Sequence, residues 1–112
     1  DLLRVAASRP PDHNRIFELD QAFHRHYVEA AAGTRLLGLH DVVKPQCERY
    51  IRLYISALVD EIGISVDEHG TTIRAIAASD PDAAHSAVRT NWSNAAERLS
   101  RVIRALGERG TW

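Results

Sequence analysis

Apolar residues recur at three- and four-residue steps over long stretches of the chain, which is the spacing of helix faces. Glycine and proline are sparse and fall mostly between these stretches, as in helices joined by short turns. No stretch of useful length alternates as a strand would. The pattern therefore predicts an all-α chain, with helices over residues 1–8, 12–32, 34–58, 65–79 and 80–106.

Polar residues indicate where two of these helices begin. Asp80 is a predicted N-cap, and Pro81 suits the first helical position that follows it. Ser65 and Glu68 have the spacing of a capping box, so the fourth helix is predicted to begin there, after a linker over residues 59–64.

Proline and glycine define the other boundaries. The run over residues 9–11 is predicted to end the first helix, and Gly33 to stop the second. Pro45 lies inside the third helix and is predicted to kink or briefly break it near residues 41–44. Gly107, with Gly110 beyond it, is predicted to end the last helix.

The second helix carries two polar residues in the middle of an otherwise apolar face. Asp20 and His24 are four residues apart and share that face with Phe17 and Tyr27, so their side chains project side by side. A carboxylate and an imidazole at this spacing suit zinc, nickel, iron or manganese. The alternative is a plain hydrogen-bonded Asp–His pair, but a carboxylate on a buried face needs a partner.

Two further polar residues fall on predicted inward faces. His69 is in phase with Ile73 and Ile76 on the fourth helix, and Asn91 lies on the apolar face of the last helix. Each is alternatively a buried side chain bonded to a neighbour. The other residues of the last helix's predicted face are Ala84, Val88, Ala95 and Leu99. The remaining histidines, predicted to lie at the surface or its boundary, are His13, His26, His40 and His85.

Composition and charge narrow the class of protein. Fourteen Lys plus Arg oppose fifteen Asp plus Glu, so this chain alone is not expected to bind DNA tightly, despite a local cluster that includes Arg98, Arg101, Arg104 and Arg109. One cysteine, Cys47, predicted to be a small core residue, fits a reducing, cytoplasmic setting. No apolar run reaches the roughly 18 residues that a membrane helix needs. The chain has no methionine and begins at Asp1, so it is expected to be a fragment of a longer protein.

Several of these residues together resemble a known family. The run Glu18-Leu-Asp20-Gln-Ala-Phe-His24, the run over residues 32–37, the pair Glu68-His69 and the residues near Asp80 resemble the FCD domain. This is the C-terminal effector-binding domain of FadR-subfamily GntR transcription regulators. The resemblance implies an antiparallel helical bundle over residues 1–106, followed by a tail over 107–112. It also implies that the first helices of the domain and an N-terminal winged helix-turn-helix domain precede this chain.

The resemblance also implies a function and a ligand set. Many members bind a small carboxylate-bearing effector in a central cavity, where one Asp and three His hold a divalent metal. Asp20, His24 and His69 match three of these positions, while Asn91 stands where the third histidine would be. The first candidates for the metal are zinc and nickel, and helical phase adds three candidate effector-binding residues, Tyr50, Tyr54 and Asn94.

The expected protein is a homodimeric transcription regulator that contacts operator DNA through a separate domain, and it is not an enzyme. Two alternatives stay open. A helical-bundle metalloenzyme would use three protein ligands and a water, but no general base stands beside the ligands, because Glu68 should point elsewhere on its helix. A plain dimerisation module would leave Asp20 and His24 merely hydrogen-bonded.

Overall fold

The computed structural model describes residues 2–7 and 12–107, and these residues are almost wholly helical, with no strand among them. The predicted all-α class is therefore confirmed. The chain divides into two compact units, Asp1–Ser56 and Ala57–Trp112.

The first unit contains helices α1 (Leu2–Ala7), α2 (His13–Ala31) and α3 (Thr34–Leu53), with α2 packed against both of the others. The short helix α4 (Ile55–Leu58) begins at the end of this unit. Val5, Ile16, Phe17 and Tyr54 are its buried apolar side chains. The guanidinium of Arg52 lies 4.1 Å from the centre of the Phe17 ring, a cation–π contact.

Both ends of α2 lie within one residue of the predicted positions. Asp12 is the N-cap, and its side chain accepts a hydrogen bond from the Arg15 amide at 3.0 Å. The helix ends at Ala31, one residue earlier than predicted. Gly33 is not a left-handed stop: its φ is −72°, and it is the N-cap of α3.

Two predictions about α3 are wrong: a break of the helix near Pro45, and a core position for Cys47. The helix runs unbroken through Pro45, and the interruption comes at Tyr54 instead. Proline removes one hydrogen bond, which a 20-residue helix can lose without ending. Cys47 is exposed and is not part of the core.

An ion-pair network connects α2 with α3. Arg25 donates to Glu29 one turn along α2 and to Asp41 on α3. The hydrogen bond from Arg25 lowers the pKa of the Asp41 carboxyl from its ordinary value, so the contact favours the ionised form.

The second unit is a hairpin of α5 (Ile62–Ala77) and α6 (Pro81–Leu106), preceded by a 3-10 turn over Val59–Glu61. A tight turn joins the two helices, so they pack antiparallel. Asp80 caps α6 as predicted, accepting from the Ala83 amide at 3.0 Å. Gly107 ends α6 with a φ of 77°, a left-handed conformation that favours glycine.

The beginning of α5 differs from the prediction. Residues 62–64, assigned to a linker, are helical, so Gly63 lies inside the helix. Ser65 is consequently not an N-cap, and no capping box forms. The side chains of Ser65 and Glu68 instead accept hydrogen bonds from the buried Arg98 of α6.

The buried face of α5 is rotated from the predicted one. His69 is buried as expected, but its buried companions are Thr72 and Ala75. Ile73 and Ile76, predicted to face inward, are each 54% exposed. The rotation brings polar Ser65 and Glu68 against α6, which apolar periodicity could not predict.

The buried residues of α6 are Ala87, Asn91 and Arg98. Ala84, Val88 and Leu99 are partly buried as predicted, whereas Ala95 is exposed, which contradicts the prediction. The proline run at residues 9–11, Arg109 and the tail beyond Gly107 lie outside the described residues.

Candidate metal and effector site

Asp20 and His24 lie one turn apart on α2, as their spacing requires. The His24 Nε2 and Asp20 Oδ2 atoms are 3.7 Å apart, and the side chains are 13% and 22% exposed, respectively. Two ligand atoms about 2.1 Å from a tetrahedral zinc ion would be roughly 3.4 Å apart. The observed separation is close to that value and longer than a good hydrogen bond. The pair therefore fits a shared cation within its own helix.

The second ring nitrogen of His24 has a different neighbour. Nδ1 lies 2.9 Å from the phenol oxygen of Tyr27, three residues further along the same helix. The Phe23 ring meets both of these rings edge-on, with centroids 5.5 Å from His24 and 5.7 Å from Tyr27. These contacts restrict the orientation of the imidazole.

His69 lies on α5, in the second unit, and it is 7% exposed. Its inward position agrees with the sequence-based expectation. Thr72, three residues further along α5, is almost wholly buried, and its hydroxyl donates a hydrogen bond to the Glu68 carbonyl at 3.2 Å. His69 therefore belongs to the best-packed side of its helix.

Asn91 is 3% exposed and faces α5, as its position on the predicted face of α6 implies. Its Nδ2 donates to Glu68 Oε1 at 3.0 Å. An ionised carboxylate can only accept hydrogen bonds, so it fixes which end of the amide it meets. The Oδ1 atom of Asn91 is then the end that can serve as a ligand.

Glu68 lies elsewhere than the sequence predicts. Its carboxylate accepts hydrogen bonds from Asn91, Asn94 and Arg98, all on α6, with Arg98 Nη2 3.0 Å from Oε1. Arg98 also donates to Ser65 Oγ at 3.1 Å. Instead of pointing away from the buried face, Glu68 is the centre of a polar cluster between α5 and α6. Arg98 is correspondingly buried, and it is not part of an exposed basic patch.

Opposing effects act on the pKa of the Glu68 carboxyl. Burial raises this pKa, while the hydrogen bonds from Asn94, Arg98 and Asn91 and the charge of Arg98 lower it. Together the partners outweigh burial, and the pKa is lower than its ordinary value. The folded protein therefore holds Glu68 as a carboxylate.

The three candidate effector-binding residues have different surroundings. Tyr50 is partly buried, with the Arg49 guanidinium 5.9 Å from its ring centre. Tyr54 is 1% exposed. Asn94 already donates to Glu68, so an effector would share it or replace that contact.

The other histidines are placed as predicted. His26 and His85 are exposed, and His13 and His40 are intermediate. His26 lies two residues from His24 on a different side of α2, which makes it a natural control for the candidate site.

The family model of the FCD domain matches residues 2–94, so the chain belongs to the FCD domain family. FCD domains are the C-terminal effector-binding domains of GntR-type transcription regulators, which are not enzymes. The chain matches no curated protein and no solved structure.

Family membership also sets the broad partners of the domain. Such a regulator binds a small-molecule effector and acts with a DNA-binding domain. FCD domains often bind metals. Within residues 2–7 and 12–107, no helix combines the length and the apolarity needed to cross a bilayer.

Proposed function

We propose that this FCD domain senses a small carboxylate-bearing metabolite through a divalent ion held by Asp20, His24 and His69. The signal would modulate operator binding by a separate N-terminal domain in a homodimeric regulator. The observation that carries the proposal is the Asp20–His24 pair, whose ligand atoms have a spacing that one cation could bridge.

The chemistry of the donors supports this ligand set. One carboxylate and two imidazoles suit a borderline divalent cation such as zinc or nickel. Asn91 would be the fourth ligand through Oδ1, since its Nδ2 is bound to Glu68. An amide oxygen is a weaker ligand than the imidazole that the family pattern has at this position, so affinity should be lower than with a third histidine.

A bound divalent ion with open positions would supply a Lewis-acidic centre for the effector's carboxylate. Asp20 contributes one negative charge, so the site keeps a net positive charge that attracts an anion. Of the proposed effector-orienting residues, Tyr50 and Asn94 are partly buried, whereas Tyr54 would act from an almost wholly buried position.

Effector binding changes the regulator only if its affinity differs between two packing states of the domain. A dimer would transmit such a difference to paired DNA-binding domains. Large apolar side chains are exposed along α3, and they offer surface for a second copy: Leu36, Leu39, Val42 and Val43. The mass of the protein in sedimentation equilibrium tests the dimer, and a monomer at micromolar concentration would contradict it.

Thermal denaturation with zinc or nickel tests the metal site. At an ion concentration 100 times Kd, the ion should stabilise the folded state by about 2.7 kcal/mol. Most of this stabilisation by the ion should be lost in each of three variants, Asp20→Ala, His24→Ala and His69→Ala. His26→Ala, which removes an exposed imidazole from the same helix, should keep it.

Two results would contradict the metal proposal. One is a wild-type protein whose melting temperature does not respond to either ion. The other is a loss in His26→Ala as large as that in His24→Ala, which would indicate non-specific surface binding.

Asn91→His tests the fourth position. The substitution restores an imidazole and should tighten zinc binding, measured by competition with a chromogenic chelator. Affinity that stays the same or weakens would argue that residue 91 does not face the ion.

A screen of small carboxylates tests the effector class. A true effector should stabilise the metal-loaded protein, its neutral amide analogue should not, and Asp20→Ala should abolish the effect. Equal stabilisation of the metal-free protein would contradict metal-assisted recognition, and chemical turnover of the ligand would favour an enzyme instead.

A further inference from the structure

The two ring nitrogens of His24 meet different groups, and the difference bears on how the side chain could bind a cation. Nε2 faces Asp20 Oδ2 at 3.7 Å, whereas Nδ1 lies 2.9 Å from Tyr27 Oη. The first distance is too long for a good hydrogen bond and the second is normal for one. Tyr27 Oη is therefore the hydrogen-bond partner of Nδ1, and Nε2 is the ring nitrogen on the Asp20 side.

A neutral imidazole carries one N–H and one lone pair. An ion shared with Asp20 needs the lone pair on Nε2, so the proton must be on Nδ1. A partly buried Nδ1–H needs an acceptor, because an unsatisfied donor is costly away from water. The hydroxyl of tyrosine can accept such a bond while remaining uncharged.

We propose that Tyr27 is a positioning residue that holds His24 in the Nδ1–H form, with Nε2 presented beside Asp20. The inference rests on the proposed function, in which His24 is a metal ligand. Histidine ligands generally donate their other ring N–H to a neighbouring acceptor, and such acceptors raise ligand basicity and fix ring orientation. Tyr27 occupies that place here.

The geometry of α2 makes the arrangement robust. Asp20, His24 and Tyr27 follow one another at four- and three-residue steps, so all three project from one face of a single helix. The Phe23 ring packs edge-on against the Tyr27 ring, with centroids 5.7 Å apart, and so supports the phenol beside Nδ1. The helix thus aligns carboxylate, imidazole and phenol without help from a distant segment.

Tyr27→Phe tests the inference, because it removes the acceptor oxygen and keeps the ring. Zinc affinity should fall by about 10- to 100-fold, the usual effect of losing an outer partner of a metal ligand. Thr71→Val is the matched control: it also removes a hydrogen-bonding hydroxyl, but on the exposed side of α5, and it should leave zinc affinity unchanged. Chelator competition gives both values.

A second readout separates positioning from a general loss of structure. Nitrogen-15 chemical shifts of the His24 ring, recorded without metal in mildly alkaline buffer, report which nitrogen carries the proton. Wild type should show mainly the Nδ1–H form, and Tyr27→Phe should move toward a mixture of both forms while circular dichroism stays unchanged.

The outcomes distinguish this inference from the proposed function. Zinc binding in wild type that is unaltered in Tyr27→Phe, or a wild-type His24 that is mainly in the Nε2–H form, would overturn the role of Tyr27 alone. Absence of zinc binding in wild type would overturn the metal site and this inference with it.

Discussion

Removal of the Glu68 carboxylate should destabilise the protein more than removal of any exposed acidic group. In Glu68→Ala, Arg98 loses its carboxylate partner while it remains buried, because the Arg98 side chain is 8% exposed and that of Glu68 is 12% exposed. The amide donors of Asn91 and Asn94 lose their acceptor as well. Breaking a buried ion pair from one side costs about 3–5 kcal/mol.

The same hairpin supplies a matched control. Glu61, in the 3-10 turn before α5, pairs with Arg101 of α6 at 3.4 Å, but these side chains are 38% and 52% exposed, respectively. Exposed pairs contribute about 0–1 kcal/mol, so Glu61→Ala should have a small effect. Both substitutions delete one carboxylate paired with an arginine of α6, and they differ in burial and in the two amide donors that Glu68 also accepts from.

Urea denaturation followed by circular dichroism measures both free energies of unfolding, with a chelator present so that no metal contributes. A domain of this size has a total stability of about 5–15 kcal/mol, so the Glu68→Ala loss would be a large fraction of it. An effect of Glu68→Ala no larger than that of Glu61→Ala would refute the argument. The double variant Glu68→Leu with Arg98→Leu should recover much of the loss, since no buried charge then lacks a partner.

Three further predictions follow from the same contacts. The pKa of Glu68 is lowered in the folded state, so the ionised carboxylate stabilises the fold above its unfolded pKa, and this stabilisation disappears as pH falls through the folded pKa. Glu68→Gln should therefore flatten the acid side of a plot of unfolding free energy against pH, and an unchanged slope would contradict this argument. Asp80→Ala removes the N-cap of α6 and should cost about 0.5–2 kcal/mol by urea denaturation, whereas Asp82→Ala, which caps nothing, should cost clearly less. Pro45→Ala restores a backbone donor at an exposed position inside α3 and should raise stability by up to about 3 kcal/mol; a lower melting temperature would show that the proline is needed there.

Local interactions explain which helix boundaries could be predicted. The caps at Asp12 and Asp80 each involve residues three positions apart, so the sequence contains both partners. Gly107 ends α6 by its own backbone preference. The predicted beginning of α5 was wrong because Ser65 and Glu68 bind Arg98, some thirty residues away, and do not cap the helix.

The candidate metal ligands also divide into those whose placement follows from local spacing and those whose placement depends on another helix. The four-residue step between Asp20 and His24 determines that the two side chains are neighbours on any straight helix, and the structure gives their separation. The exposure of Ile73 and Ile76 was not predictable from apolar spacing, because such spacing identifies a face but not the surface that covers it. The orientation of Asn91 likewise depends on Glu68, on another helix.

The amino-acid sequence by itself determined the all-α class, the Asp80 cap, the Asp20–His24 pair and the resemblance to the FCD family, because these depend on short-range spacing and residue chemistry. Only the tertiary structure decided that Arg98 is buried, that Glu68 faces α6 and that Cys47 is exposed. These outcomes depend on which helix faces meet. A buried charge has to find its partner across the hairpin, and that requirement overrides the local capping preference of Ser65 and Glu68.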